Sequence, residues 1–176
     1  MASSPPSSQL SSMSGDIAGR IATFLDGHRV MSLATCGVRG PHAANLFYAR
    51  DGLSLVWVSD PQSRHSLALE ADPRASATVA PDYRDFEEIR GLQISGDAHR
   101  LTDAEESRRA RSLLEARYPF LRRLAEQPSL KEAYETAVPY RLVPHEIVMI
   151  DNTRGFGHKD TLDLRASRHV DQKIGG

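Results

Sequence analysis

The hydrophobic and polar positions of the chain follow one pattern near its start and another over most of its length. Near the start, Ile17, Ile21 and Leu25 recur at the spacing of one helix face, which predicts a helix over residues 15–27. After this helix, short apolar runs are separated by Gly, Pro and Asp, a pattern that is typical of strands and turns. The chain is therefore predicted to begin with one helix and to continue mainly as strands.

The apolar runs predict six strands, and the connections between them favour antiparallel pairing. Asp51-Gly52 is a strong hairpin signal between the second and third strands. Gly91 and Gly96 interrupt the long fifth strand, where a glycine often marks a bulge or a close approach of another backbone segment. The predicted strands cover residues 29–36, 42–49, 53–59, 75–80, 89–101 and 144–151.

Between the fifth and sixth strands, two capping boxes predict a helical insert. The box at residues 102–105 begins a helix that runs to about Tyr118, and the box at residues 129–132 begins a short helix that ends near Ala137. Arginines and glutamates interleave along this insert, which indicates a solvated face with ion pairs rather than a nucleic-acid patch. The sequence thus predicts an α+β fold, an antiparallel six-stranded barrel with flanking helices and a helical insert before the last strands.

Length and composition agree with one globular domain, assigned to residues 15–165. The chain has 176 residues, 40% of them hydrophobic, and a net charge of −1 that attracts neither nucleic acid nor an anionic membrane. No apolar run approaches the roughly 20 residues of a membrane helix. The single cysteine, Cys36, excludes an intramolecular disulfide, which fits the predicted cytoplasmic location. The serine-rich residues 1–14 are predicted to be a disordered tail, and residues 166–176 a polar C-terminal tail.

The stretch after the third strand has the outline of an anion site. The strand ends at Ser59, Asp60-Pro61 breaks it, and Ser63 can cap a short helix. The free N–H groups at such a helix start attract an anion, and the adjacent Arg64 can bind a phosphate with two hydrogen bonds. On local grounds alone, a helix cap beside a solvated arginine is the favoured interpretation.

Other catalytic and metal-binding motifs are absent from the sequence. The seven histidines form no HExxH motif, and the lone cysteine excludes a CxxC zinc site. No GxSxG nucleophile elbow occurs, and no GxGxxG motif or P-loop follows a strand. The sequence therefore identifies no side chain as a catalytic acid, base or nucleophile.

Two runs of the sequence resemble a known family of flavoproteins. The run SDPQSRHSLALEADPRAS, at residues 59–76, and the run RGLQISGDAHRL, at residues 90–101, are similar to the flavin-binding region of the pyridoxamine 5′-phosphate oxidase-like split-barrel family. The resemblance extends over residues 17–101 and more loosely beyond. It implies a split-barrel homodimer that binds FMN, with a Ser-Arg-Lys-type triplet at the phosphate, which in this chain is Ser63-Arg64-His65.

The resemblance also implies where the isoalloxazine ring lies. In the family, the ring lies against the second and third strands at a dimer interface, and a Gln on the fifth strand faces the ring or the ribityl chain. A loop that presents Phe156 between two glycines is a further site element, because such a loop reaches toward the cofactor in some relatives. The residues at flavin-binding positions are Ala44, Asn45, Leu46, Phe47, Val58, Ser59, Ser63, Arg64, His65 and Gln93.

The sequence departs from pyridoxamine 5′-phosphate oxidase itself at several positions. Ala43 and Tyr48 stand where that enzyme has Arg and Lys, and its C-terminal Trp and Arg motif has no counterpart. His65, in place of a Lys, carries a charge only part of the time near neutral pH. The resemblance therefore implies a flavin-dependent oxidoreductase that acts on an unidentified small molecule. Three alternatives stay open: the deazaflavin F420 as cofactor, a haem-binding or haem-degrading protein with His158 or His65 on the iron, and a non-catalytic flavin-binding module.

Overall fold

The computed structural model describes residues 7–165, and for residues 7–15, 124–126, 128 and 129 it describes the backbone alone. The α-helices in this range are α1 (Ser7–Gly27), α2 (Arg64–Ala71), α3 (Ala104–Arg117), α4 (Phe120–Glu126) and α5 (Pro128–Thr136). The strands are β1 (Val30–Gly37), β2 (Gly40–Phe47), β3 (Ala49–Asp51), β4 (Ser54–Ser59), β5 (Arg74–Val79), β6 (Arg90–Arg100), β7 (Val138–Asp151) and β8 (Lys159–Asp163).

The antiparallel sheet curls into a barrel because its two edge strands are consecutive in the chain. The strand order is β2-β1-β5-β6-β7-β4-β3, with β8 paired to β7, so β2 and β3 lie at opposite edges. Only Tyr48 separates the end of β2 from the start of β3, which forces the two edges together at that point. Because β3 pairs with β4 only from Ser54 to Val56, a split remains between β2 and the last residues of β4.

Alternate residues of the strands fill the barrel interior. On β1, Met31 and Leu33 point inward and are fully buried, whereas Ser32 between them points outward. Trp57 of β4 and Tyr140 of β7 are cross-strand partners whose rings stack with centroids 5.6 Å apart. Burial of one such side chain stabilises the fold by about 1.5–3 kcal/mol. The alternation therefore fixes which face of each strand is left for a ligand or a partner.

A second apolar cluster lies outside the barrel, under the helical insert. Val56 of β4 points away from the barrel interior and packs with Leu114 and Tyr118 at the end of α3. On another side of the molecule, α1 buries Ile21 and Leu25 completely in the barrel core. The insert and α1 therefore flank the barrel, as the sequence predicted.

A bulge between β6 and β7 explains one of the glycines in the fifth predicted strand. The pairing register shifts between Ser95 and Gly96, so that one extra residue of β7 lies opposite this point, beside Pro144. A Cβ atom on Gly96 would lie 2.2 Å from the carbonyl oxygen of Val143. The predicted close approach at Gly96 is therefore confirmed.

The predicted number of strands is wrong, although the α+β antiparallel split barrel itself is confirmed. The structure has eight strands in residues 7–165, because β3 and β8 pair as separate strands. The last long strand begins at Val138 rather than at residue 144, because its pairing with β4 continues past Pro139. Tertiary pairing here overrides the break that a proline predicts.

The helix boundaries also differ from the predicted ones. The α1 helix begins at Ser7 rather than at residue 15. Residues 7–14, which the sequence predicts to be part of a tail, therefore belong to the backbone of this helix. Residues 1–6 and the predicted C-terminal tail, residues 166–176, lie outside the described residues. Asp103, not Thr102, caps α3 and accepts hydrogen bonds from two backbone N–H groups. Within residues 7–165, no helix combines the length and the apolar character needed to cross a membrane.

Replacing Gly96 by Ala is expected to lower the free energy of unfolding by roughly 1–3 kcal/mol, the range for an overpacked site. The reason is that the new Cβ would overlap the carbonyl oxygen of Val143. Urea unfolding followed by circular dichroism measures the change in the free energy of unfolding. Gly19→Ala in α1 is the control, because nothing lies within 4 Å of its Cβ. This control is expected to raise the stability by up to about 1 kcal/mol. Similar effects of the two substitutions would contradict the close approach.

Candidate functional site

The site is built around the start of α2, immediately after β4. Ser63 caps this helix, since its hydroxyl accepts a hydrogen bond from the Ser66 N–H and also bonds the Ser66 hydroxyl at 2.8 Å. The first helical backbone bond runs from the Leu67 N–H to the Ser63 carbonyl. Among the described residues, the N–H groups of Arg64 and His65 therefore have no backbone or side-chain acceptor. Two free donors at a helix start are groups that can bind an anion.

His65 lies inside the split and connects its two sides. Its side chain is only 7% exposed, and its Nε2 atom lies 2.6 Å from the Ser59 hydroxyl and 3.1 Å from the Ser63 hydroxyl. Its ring lies parallel to that of His42 on β2, with centroids 6.4 Å apart. Burial and, to a smaller extent, the nearby His42 lower the pKa of His65. His65 is therefore neutral at physiological pH and supplies hydrogen bonds rather than a charge.

Arg64 is the cation of this site. Its side chain is exposed, and its Nη2 atom donates to the backbone carbonyls of Arg39 at 3.0 Å and Pro41 at 3.2 Å, in the turn between β1 and β2. No carboxylate within the described part of the chain forms an ion pair with it. The guanidinium is thus held in place by neutral partners and keeps its charge for a ligand.

The residues predicted beside the ring lie on two faces of β2. Ala44 and Leu46 share the inward face of the strand, whereas Asn45 and Phe47 point outward. The side-chain amide oxygen Oδ1 of Asn45 accepts a hydrogen bond from the Ser32 hydroxyl at 2.6 Å. Phe47 is half exposed and meets the ring edges of two aromatic residues of the insert, Tyr118 and Phe120. One flat ring cannot contact all four side chains, but it can contact the backbone that carries them.

Val58 and Ser59 are also separated by strand alternation. Val58 points toward the insert and packs in the cluster under α3, whereas Ser59 points the other way, to His65. Gln93 is exposed on β6, in the cross-strand row that links it through Thr78 and Ser32 to Asn45. Three strand spacings separate Gln93 from β2, or about 14 Å. Within one chain, the structure does not bring Gln93 to the phosphate position.

The loop with Phe156 lies at the other end of the barrel. It follows Asp151, which pairs with the start of β6, whereas the β1–β2 turn and α2 lie beyond the opposite end of that strand. Phe156 is largely exposed and meets the ring of Phe86 edge to face. His158, in the same loop, has its Nε2 atom 3.3 Å from Asp160. The loop therefore makes no contribution to the α2 site of its own chain.

Sequence reasoning missed two residues of the site, His42 and Arg39. His42 lies two residues before Ala44 on the inward face of β2, so strand alternation alone assigns it to the site. Arg39 lies in the turn that holds Arg64, and no local pattern connects these two arginines. Among the described residues, no group of three or more His, Cys, Asp or Glu side chains is placed to hold a metal ion.

Comparison with known proteins places this chain in a family. A family model described as pyridoxamine 5′-phosphate oxidase matches residues 17–138, which is more than half of the chain. The UPF0306 protein of Serratia proteamaculans is 30% identical over 142 residues, or 80% of this chain and 90% of the relative. The chain therefore belongs to the pyridoxamine 5′-phosphate oxidase-like family and, within it, to the UPF0306 proteins.

Solved structures with similar folds come from proteins of different kinds. A haem-binding protein from Mycobacterium smegmatis matches with a TM-score of 0.66 and 21% identity, over 85% of this chain and 59% of its own. A FAD-binding protein from Mesorhizobium loti matches with a TM-score of 0.58 and 20% identity, over 74% of this chain and 91% of its own. At these identities the likeness shows the split-barrel fold alone.

We expect the stability of the protein to fall as the pH drops from about 7 toward 5, partly through His65. Because the folded pKa is lowered, the contribution of neutral His65 to stability is fully present above the unfolded pKa, near 6.5, and is lost as the pH falls from that value through the lower folded pKa. His65→Gln keeps a hydrogen-bonding side chain but does not titrate, so its stability should depend less on pH.

Urea unfolding at several pH values measures this difference. A comparison at pH 8, where His65 is neutral in both states, gives the cost of the substitution itself. Parallel curves for the wild type and the variant between pH 8 and pH 5 would show that His65 does not cause the loss.

Proposed function

We propose that the protein is a flavin-dependent oxidoreductase that binds the FMN moiety along the split between β2 and β4 and acts on a small molecule. One observation carries this proposal: Arg64, whose guanidinium forms no ion pair among the described residues, begins a helix whose first two backbone N–H groups are free. Membership of the pyridoxamine 5′-phosphate oxidase-like family supports a flavin as the ligand. A FAD-binding neighbour of the same fold adds to this support.

The residues at the start of α2 fit a flavin phosphate. The N–H groups of Arg64 and His65 and the guanidinium of Arg64 provide donors on one side, and the helix dipole favours an anion there. Ser63 keeps the helix start in place through its bonds to Ser66. Neutral His65 fixes the Ser59 and Ser63 hydroxyls and adds no charge of its own.

The edge of β2 fits the ring. Since β2 pairs with β1 on one side only, every second N–H and C=O group of its other edge faces the split without a strand partner. In our proposal these groups bond the pyrimidine edge of the ring, and Leu46 and Phe47 provide apolar contact. The flavin supplies the redox chemistry when it is bound, and the chain binds it, orients it and surrounds it with N–H donors. No side chain is assigned as an acid or base.

Haem is the second candidate, because the structure of a haem-binding protein has a similar fold. An iron ligand needs a ring nitrogen that is free and accessible. The Nε2 atom of His65 already contacts two hydroxyls in a buried position, and His158 lies beside Asp160 at the other end of the barrel. These contacts favour the flavin. The absorption spectrum of the purified protein distinguishes the two cofactors, since a Soret band would contradict our proposal.

Replacing Arg64 by Ala is expected to weaken FMN binding by roughly 1.5–3 kcal/mol, the range for hydrogen bonds to a charged group. This corresponds to about one to two decades in the dissociation constant. Riboflavin, which has the ring without the phosphate, should bind the variant and the wild type equally. Titration by fluorescence quenching measures both flavins.

Arg108→Ala is the matched control for this experiment. Arg108 is an exposed arginine on α3 without an ion pair among the described residues, so its removal should change neither affinity. An equal loss of FMN and riboflavin in Arg64→Ala would mean that Arg64 supports the ring or the fold. No loss of either flavin would contradict the phosphate assignment.

We also propose that the protein is a homodimer that joins through the outward face of β1, β2, β5 and β6. This face carries adjacent small side chains, Ala43, Ala34, Ser76 and Ser95, which are exposed in the single chain. Small side chains leave a flat surface on which a second copy can pack closely. A partner there would also cover Asn45 and Gln93, which lie in the neighbouring row, and so enclose a ring that one barrel leaves open.

Light scattering of the wild type is expected to give the mass of a dimer, and Ala34→Arg is expected to give a monomer. The reason is that a buried, unpaired guanidinium at the centre of an interface costs several kcal/mol. Ala116→Arg, at an exposed position of α3, should remain dimeric. A wild-type monomer with flavin bound would disprove the dimer, and a dimeric Ala34→Arg variant would place the interface elsewhere.

A further inference from the structure

A small cleft lies directly beyond Arg64, between the β1–β2 turn and α2. Its cavity volume is about 220 Å³, and its walls are formed by Val38 and Arg39 of the turn and by Leu67 and Ala71 of the helix, with Arg64 at one end. Ligand pockets that hold a whole small molecule usually measure about 300–1,000 Å³. The cleft therefore has room for one end of a ligand whose other part lies elsewhere.

The close packing of the turn on the helix fixes the shape of this cleft. A Cβ atom on Gly37 would lie 3.1 Å from the Cβ of Ala68, so the backbone of β1 and the helix approach closely there. Arg64 bonds the carbonyls of Arg39 and Pro41 on the opposite strand of the turn. The walls are therefore connected both by packing and by hydrogen bonds.

The cleft combines cations with exposed apolar side chains. Neither Arg39 nor Arg64 forms an ion pair with any carboxylate in the described part of the chain. Val38 is fully exposed, and Leu67 is 46% exposed. Because Arg64 is assigned to the first phosphate, the Arg39 guanidinium is the group that can attract a second anion, and the apolar walls favour a flat, weakly polar group next to it.

The positive charge available at the phosphate position also favours a ligand with a second phosphate. A phosphate monoester carries about −1.5 to −2 charges at neutral pH. Among the described residues placed at the start of α2, Arg64 provides the full positive charge, since His65 is neutral. Each phosphate of a pyrophosphate diester carries one charge, so the first would meet Arg64 and the second would meet Arg39 in the cleft.

We propose that the natural ligand is a flavin whose phosphate is extended by a second phosphate and a nucleobase, that is, a flavin of the FAD class. This inference rests on the proposed function and refines it: the FMN moiety would lie along β2 and α2, and the additional nucleotide would occupy the cleft. The ring position, Arg64 and the cleft follow one another along β2 from its end to its start. The second phosphate binds Arg39, and the base packs between Val38 and Leu67.

Titration of FAD, FMN and riboflavin into the dialysed protein by fluorescence quenching tests the inference. FAD is expected to bind about tenfold more tightly than FMN, for one additional hydrogen-bonded charge pair. Arg39→Ala is expected to remove this advantage and to leave FMN within about twofold of the wild type. The control Arg108→Ala should change neither value. ADP, titrated by calorimetry, should bind the wild type and lose affinity in Arg39→Ala.

Each contrary result has a distinct meaning. Equal affinities for FMN and FAD, unchanged in Arg39→Ala, would overturn the inference and leave the proposed function standing. Failure of all three flavins to bind would overturn both. F420 is titrated in parallel, and tighter binding of F420 than of FAD that depends on Arg39 would show that the second anion belongs to a carboxylate-bearing extension and that the nucleobase assignment is wrong.

Discussion

The position of Tyr48 is the constraint on which the rest of the structure depends. This residue alone separates the two edge strands, β2 and β3, so its burial keeps the sheet closed. Its hydroxyl donates to the carbonyl of Leu25 in α1 at 2.8 Å, and its carbonyl accepts from the hydroxyl of Tyr118. The guanidinium of Arg117 lies 5.4 Å from the centre of its ring. Burial raises the pKa of Tyr48, so the hydroxyl remains a neutral donor and connects α1, the insert and both sheet edges.

Closure at Tyr48 also explains why the site lies where it does. The sheet edges meet at that residue and separate beyond β3, so the split opens toward the β1–β2 turn. The α2 helix closes the far end of the split, where His65 contacts Ser59 on one side and stacks with His42 on the other. The proposed anion position thus depends on the barrel geometry together with the helix start. A capped helix on an ordinary surface would offer the same N–H groups without the neighbouring β2 edge.

Local chemistry allowed a large part of this arrangement to be predicted from the sequence. The Ser63 cap and the interruption at Gly96 each depend on neighbouring residues or on a single backbone position, and the structure contains both. The burial of His65 follows from the packing of α2 against β1 and β2, which are distant in the sequence, so no local pattern reveals that its pKa is lowered. The continuation of β7 past Pro139 likewise depends on pairing with β4.

The separation of the predicted ring residues has a different cause. A family resemblance assigns positions along a strand, whereas the faces of the strand follow from alternation. Ala44 and Asn45 were therefore predicted together although their side chains point in opposite directions. The same applies to Val58, which packs toward the insert, and to Ser59, which contacts His65. The shared feature of these positions is their backbone, which is why a ring held by main-chain groups is consistent with all of them.

The two arginines near the cleft differ in how firmly hydrogen bonds within the chain hold their side chains. Arg64 is held by two carbonyls, so much of the entropy cost of fixing its side chain is already met in the free protein. Arg39 contributes its carbonyl to that bond, but its guanidinium has no partner among the described residues. Binding must therefore order the Arg39 side chain, at a cost of about 0.5–1.5 kcal/mol. In the proposed complex, an anion beside Arg64 would therefore be bound more strongly than one beside Arg39, and the phosphate next to α2 would fix the position of the whole ligand.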